Sequence, residues 1–155
     1  MALFIVVLAC SLWGAASVRA EEGLSTGQGV YVPVYSHIYS GNRENPIYLA
    51  ATVSIRNVDP DYALNLVQVD YFDSDGRLIK HYLEQPVALP AMASVRYVIK
   101  ESDKAGGSGA NFIVRWKSDH PMNAPLIESI MISTKSQSGI SFTSRGKVIV
   151  ESKKP

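Results

Sequence analysis

The sequence predicts an all-β fold, an antiparallel β-sandwich of about eight strands, on three observations. Apolar and polar residues alternate with a period of two along much of the chain. Turn-forming residues recur every ~8 to 12 positions. No window sustains an apolar period near 3.6, so no helix is expected.

Taken in order, Glu21 to Gly29 is polar and glycine-containing, which predicts a flexible lead-in over 21–29. A single domain is expected over 30–151. Val30 to Tyr39 is rich in β-branched and aromatic residues and predicts one strand. Pro33 has no N–H for a ladder, which places that strand at an edge or a bulge. Within it Tyr31, Tyr35 and Tyr39 fall at even spacing on one face. Tyrosine joins a large apolar area to a polar tip, which suits either a recognition surface or a face packed under a loop.

Ser40 to Pro46 is a loop by composition, and Ile47 to Arg56 returns to strict alternation. Asn57 to Asp61 breaks the pattern, and Leu64 to Phe72 resumes it. Asp73-Ser-Asp-Gly76 signals a hairpin, since glycine supplies the positive φ and Asp side chains accept from turn amides. Arg77 to Leu83 is the returning partner. Val95, Tyr97 and Ile99 alternate ahead of the glycine-rich stretch 105–109, and Phe112, Val114 and Trp116 alternate behind it. Ser118 to Pro125 reads as a loop. Ile127 to Ser133 and Ile140 to Val150 are two more strands, joined across Lys135 to Gly139. The two long proline-containing loops resemble connections between sheets, which favours an immunoglobulin-like sandwich over a closed barrel.

Residues 1–20 read as an export leader. Leu3 to Val18 is apolar, interrupted only by small residues, and Val18-Arg19-Ala20 has the small residues a signal peptidase requires before a cut after Ala20. The run is too interrupted to serve well as a membrane anchor. A positive n-region is missing from Met1-Ala2-Leu3, which points to a start further upstream. Val7-Leu8-Ala9-Cys10 supports a second reading, a lipoprotein acylated at Cys10. The expected location is therefore periplasmic or secreted, or membrane-attached through Cys10.

Cys10 is the one cysteine, so a chain cut after Ala20 has no disulfide and no thiolate chemistry. Losing Arg19 leaves one basic residue fewer than the 15 of the full chain, which balances the 14 acidic ones. A neutral chain with no basic stripe argues against nucleic-acid binding.

The glycine stretch Gly106-Gly107-Ser108-Gly109 is no phosphate loop, because Lys104 precedes it and a strand follows it where a helix is needed. It is expected to be a mobile hairpin tip, or else a nest of backbone amides for an anion or a partner's loop. His37, His81 and His120 lack metal-ligand spacing, and Asp70, Asp73 and Asp75 supply too few oxygens for calcium. No cofactor is implied.

Four stretches, GVYVPVYSHIYSG, SIRNVDPDYALNLVQVDYFDSDGRLIKHYL, KESDKAGGSGANFIVRW and ISFTSRG, are similar to the bacterial domain-of-unknown-function family DUF3124, over about Gly29 to Val150. The resemblance implies an exported protein, often a lipoprotein in this family, and brings no activity or catalytic residue. The expectation is an envelope module that binds another envelope protein or a small or glycan-like ligand. Its expected surface comprises Tyr35, His37, Tyr39, Arg56, Asp103, Gly107, Gly109, Asn111 and Arg115. The competing expectation is a small hydrolase or lyase using His37 or His81 with a carboxylate.

Overall fold

The computed structural model describes residues 23–39, 41, 42, 44–133 and 139–152. The leader, the cut after Ala20 and Cys10 lie outside them. The described chain is all-β. Its strands are β1 (Ser25–Pro33), β2 (His37–Tyr39), β3 (Pro46–Tyr48), β4 (Ala50–Arg56), β5 (Leu64–Phe72) and β6 (Leu78–His81). They continue as β7 (Val87–Leu89), β8 (Ser94–Ile99), β9 (Asn111–Met122), β10 (Leu126–Ser133), β11 (Ile140–Arg145) and β12 (Lys147–Glu151). Short strands split off at prolines and turns bring the count to twelve among the described residues, above the eight expected.

A six-stranded antiparallel sheet runs in the order β12-β1-β9-β5-β6, with β7 also paired to β5. A four-stranded sheet runs β11-β10-β4-β8, and β2 with β3 makes a separate hairpin. Period-two alternation turns one set of side chains from each large sheet into a common core. The six-stranded sheet contributes Val30, Val32, Leu66, Val69, Tyr71, Phe112, Val114 and Trp116, and the four-stranded sheet contributes Val53, Ile55, Ile99, Ile127 and Met131. Each such side chain adds about 1.5–3 kcal/mol of transfer free energy when fully buried. Strand β9 is the spine of this arrangement. Its residues Asn111 to Lys117 pair with β1 on one edge and with β5 on the other.

Three expectations change. Residues 25–29 are strand rather than free lead-in: Gly27, Gln28 and Gly29 lie opposite Lys117, Trp116 and Arg115. Glycine alone fits at position 27, where a Cβ would meet the Trp116 carbonyl oxygen at 2.8 Å. The stretch Val30 to Tyr39 is two strands, not one. Proline ends β1 at a place where its missing N–H matters little. The next amide, Val34, donates to the Ala110 carbonyl at 3.0 Å, so position 33 turns to the other edge, and β12 reaches only as far as Tyr31. Finally, Ser118 to Met122 extend β9 instead of forming a loop, and only Asn123 to Pro125 leave the ladder.

Two features close the far end of the molecule. At Gly146 the chain steps from β11 in one sheet to β12 in the other. Its N–H donates to the Ile127 carbonyl at 2.9 Å, and a Cβ there would stand 2.6 Å from Val30 Cγ1. Between β4 and β5 a buried polar knot forms on Asn57 and Asp59. The Asn57 amide group donates to the carbonyls of Tyr62, Leu89 and Pro90 at 2.8, 3.2 and 2.9 Å. Asp59 Oδ1 accepts from the N–H of Asp61 and Tyr62, and Oδ2 accepts from the Asn123 N–H at 2.8 Å.

Those bonds, the Asn123 N–H foremost, hold the Asp59 carboxyl below its ordinary 3.8, against a smaller upward push from burial. A lowered carboxyl stabilises the fold above the pKa of the unfolded chain, and that contribution is lost as pH falls through the folded value. The stability advantage of wild type over Asp59→Asn is therefore expected to be full at pH 7 and to shrink below pH about 4. Denaturant titrations of both proteins at pH 7 and pH 3 check this; an advantage that stays constant with pH contradicts it.

Candidate functional site

The site is built on the glycine stretch, which is not a hairpin tip. It carries the chain from β8 in the four-stranded sheet to β9 in the six-stranded one. Crossing between sheets brings its backbone close to other backbone and side chains, which is where glycine is needed. At Gly106 a Cβ would fall 2.0 Å from Tyr71 Oη, and at Gly107, with φ +78°, it would fall 2.6 Å from Ser74 Oγ.

Ser74, in the β5–β6 turn, holds the crossover down. Its hydroxyl donates to the Gly106 carbonyl and accepts from the Gly109 N–H, both at 2.9 Å. The Ser74 and Ser36 amides donate to the Gly106 and Gly107 carbonyls at 3.0 and 2.9 Å. Beneath lies Tyr71, whose hydroxyl is 3.3 Å from Ser36 Oγ. Burial pushes the Tyr71 phenol above its ordinary 10.0, with the Ser36 hydrogen bond pulling the other way. The loop expected to be mobile is thus bonded on two sides. The Gly109 N–H that an anion-binding nest would turn outward is bonded to Ser74 instead.

Beside the crossover stands the β2–β3 hairpin, whose register sets His37 opposite Tyr48. His37 Nε2 lies 3.2 Å from Tyr39 Oη. The imidazole meets Tyr39 and Tyr48 edge-on, with ring centroids 5.2 and 6.0 Å away. From the crossover, Lys104 Nζ sits 4.2 Å above the Tyr48 ring, in cation–π range. Tyr39 remains 53% exposed. The result is a corner of two tyrosines, one imidazole and one ammonium, mounted on a fixed loop.

Of the residues expected in the site, His37 and Tyr39 form this corner, and Asp103, Gly107 and Gly109 shape the loop under it. Asp103 Oδ1 accepts from the Ala105 N–H at 3.0 Å. The others lie elsewhere. Tyr35 turns toward Phe142 of β11 in an edge-on contact at 5.6 Å, because the chain bends after Pro33 and scatters the three tyrosines. Arg56 is at the opposite end of β4, with Nε 3.2 Å from Ser54 Oγ and 3.9 Å from Glu128. Arg115 is on the outer face of the six-stranded sheet, across from Gln68 and Gly29. Asn111 is buried at the start of β9 between Pro33 and Phe72. Tyr48, Lys104, Ser36 and Ser74 were missed. Only the register of β2 against β3 brings Tyr48 to His37, and that register is not written in the local sequence.

A second arrangement lies on the outer face of the six-stranded sheet. There Asp70, its side chain only 8% exposed, accepts from Gln68 Nε2 at 2.6 Å and pairs with His81 Nδ1 at 2.8 Å. The His81 side chain is 64% exposed. In the β5–β6 turn Asp73 does hairpin work, since its Oδ1 accepts from the N–H of Asp75 and Arg77 at 2.9 and 2.8 Å. Among the described residues no three His, Cys, Asp or Glu side chains group as a metal site would require.

Residues 27–149 match the family model described as protein of unknown function, DUF3124. No curated protein matches the chain. Among solved structures, the crystal structure of Thermotoga maritima 1070 aligns at 13% identity with a TM-score of 0.47, covering 81% of this chain and 97% of that one. The Anabaena sensory rhodopsin transducer aligns at 18% identity with a TM-score of 0.33, covering 66% of this chain and 93% of its own.

Ser74→Ala removes both hydroxyl bonds to the crossover. At about 1 kcal/mol for a typical net hydrogen bond, it is expected to lower unfolding stability by roughly 1–2 kcal/mol. Denaturant unfolding measures this, and a change under about 0.3 kcal/mol would mean that the loop does not depend on Ser74.

Proposed function

The chain belongs to the DUF3124 family, and we propose that this member is an exported binding module, an immunoglobulin-like sandwich whose corner of His37, Tyr39, Tyr48 and Lys104 takes a glycan-like ligand. The observation that carries the reading is the convergence of those four side chains on a crossover fixed by Ser74 and Ser36. The exposed Tyr39 ring offers a face to the C–H side of a sugar, while Tyr39 Oη, the imidazole and the Lys104 ammonium offer bonds to its hydroxyls. A site already rigid loses little conformational entropy on binding. The apolar leader Leu3 to Val18 supports export to the envelope, with release after Ala20 or retention through an acylated Cys10. N-terminal sequencing of the exported protein decides between them: Glu21 first supports release, and a blocked Cys10 supports the anchor.

A second reading rests on the Asp70–His81 pair. A buried carboxylate that fixes an exposed imidazole is the orienting half of a general base, which suits a small hydrolase or lyase.

A ligand titration tests the corner. Titration with N-acetylglucosamine tetramer is expected to show binding to wild type that weakens about tenfold in Tyr39→Ala combined with Lys104→Ala, from lost stacking and cation–π contact. His81→Ala is expected to bind as wild type does. Absence of binding, or loss with His81→Ala alone, would remove the corner from the function. Gly107→Ala is unsuitable as a probe, because a Cβ at that φ disturbs the Ser74 contact whatever the ligand.

A further inference from the structure

We propose that the β12 edge of the molecule docks on an anionic bilayer surface, with its aliphatic side chains in the interface and Arg115, Arg145 and Lys147 against the lipid phosphates. The surface shares no residue with the aromatic corner, so the two proposals fail separately.

Strand β12 is the outer strand of the six-stranded sheet and pairs, among the described residues, with β1 alone. All five of its residues are exposed, and Val148, Ile149 and Val150 stand 44%, 52% and 48% open to solvent. Among the described residues no other run of three large apolar side chains is exposed, and such a patch marks a contact surface.

A bulge decides how they point. Gly29 lies opposite Val150 and Val30 opposite Val148, which leaves Ile149 as an extra residue on the edge. Val150 falls on the outer face. A Cβ at Gly29 would stand 3.2 Å from Val150 Cβ and 3.8 Å from Arg115 Cγ, so those two side chains flank one glycine. Val148 falls on the inner side, where it lines an open cleft between the sheets together with Gly23, Leu24 and Arg145. Leu24 is 62% exposed. Apolar groups therefore emerge on both faces of the edge, and a cation stands beside them on each. Lys147, opposite Tyr31, completes the set.

Charge and shape select the occupant. None of Arg115, Arg145 and Lys147 makes an ion pair with a described residue. Of the carboxylates at this edge, Glu151 already accepts from Ser25 Oγ at 2.6 Å and from Gln28 Nε2 at 3.0 Å. Glu128, across the ladder from Arg145, lies 3.9 Å from Arg56 Nε. The flanking stretches cancel, with Glu21-Glu22 before the edge and Lys153-Lys154 after it. What is left over is basic beside apolar, the composition of a surface that binds an anionic interface. A second copy adding its own strand is disfavoured, because a bulge breaks the straight row of N–H and C=O groups that such pairing needs. Position agrees with a bilayer. The described chain begins at Gly23, which lines the same cleft, so an apolar leader or an acylated Cys10 held at a bilayer would bring this edge to it.

The test uses the full chain with Cys10→Ala and one environment-sensitive fluorophore. The dye is attached at Ile149→Cys or, as a reference, at Val98→Cys on β8, which ends the four-stranded sheet on the side away from β11. The leader brings both probes to a vesicle, so the difference between them is the readout. With vesicles of phosphatidylglycerol and phosphatidylcholine, the Ile149 probe is expected to shift to the blue and the Val98 probe to stay as in buffer. Pure phosphatidylcholine should move neither, and added salt should weaken the Ile149 response. Arg145→Gln with Lys147→Gln should raise the lipid concentration at half effect about tenfold or more, since each cation near such a surface strengthens binding several-fold. Equal responses at both positions, no response at Ile149, or the same response on neutral vesicles would overturn the proposal. A blue shift at Ile149 that grows with protein concentration without lipid would assign the edge to a second copy and overturn it as well.

Discussion

Strand β9 is paired along both edges, and that double pairing is the constraint on which the remaining structure depends. Its inward side chains Phe112, Val114 and Trp116 lie at the centre of the core, between β1 and β5. Its two ends lead directly into the two distinctive regions of the molecule. Ahead of Asn111 stands the glycine crossover, and behind Met122 stands Asn123, whose N–H closes the Asp59 knot. Moving β9 by one residue would turn its apolar set to solvent, so register at the centre fixes geometry at both ends.

The crossover shows how a core residue positions a surface one. Phe112 stacks on Tyr71 with ring centroids 5.1 Å apart, and Tyr71 Oη touches Ser36 at the foot of the β2–β3 hairpin. Gly106 closes over the phenol with no room for a Cβ. The aromatic corner therefore inherits its position from packing rather than from its own exposed contacts, each of which is worth little alone in water. The same logic holds at the knot, where Asn57 and Asp59 are buried and fully engaged so that Tyr62 and Met92 can be presented to solvent. Burying polar groups in this way is tolerable because nearly every donor and acceptor finds a partner.

The sequence makes most strands legible, because period-two alternation in Ile47 to Arg56 or Phe112 to Trp116 reports directly which face is buried. Turn chemistry was equally plain at Asp73 to Gly76, where the glycine has φ +78°. What local pattern does not carry is where the sheets exchange the chain. Gly27 looks like a flexible residue in sequence, yet a Cβ there would run into the Trp116 carbonyl oxygen of the neighbouring strand. The stretch 105–109 reads as a mobile tip for the same reason. Tyr31, Tyr35 and Tyr39 share a face only if the strand runs straight, and it bends after Pro33. Of the candidate site, His37 and Tyr39 were legible as members of an aromatic strand, and the loop as a glycine-rich link beside it. Tyr48 and Lys104 were not, since long-range register brings them there.

Native-state hydrogen exchange tests the central claim that β9 and the two ends it anchors form one cooperative unit. The account predicts that the β9 amides exchange only through global unfolding. It predicts that the Ser36, Ser74 and Asn123 amides, which tie down the crossover and the knot, share that opening free energy to within about 1 kcal/mol. Ser36 and Ser74 exchanging at near-unprotected rates while β9 stays protected would contradict it, because the crossover would then open independently of the strand said to hold it.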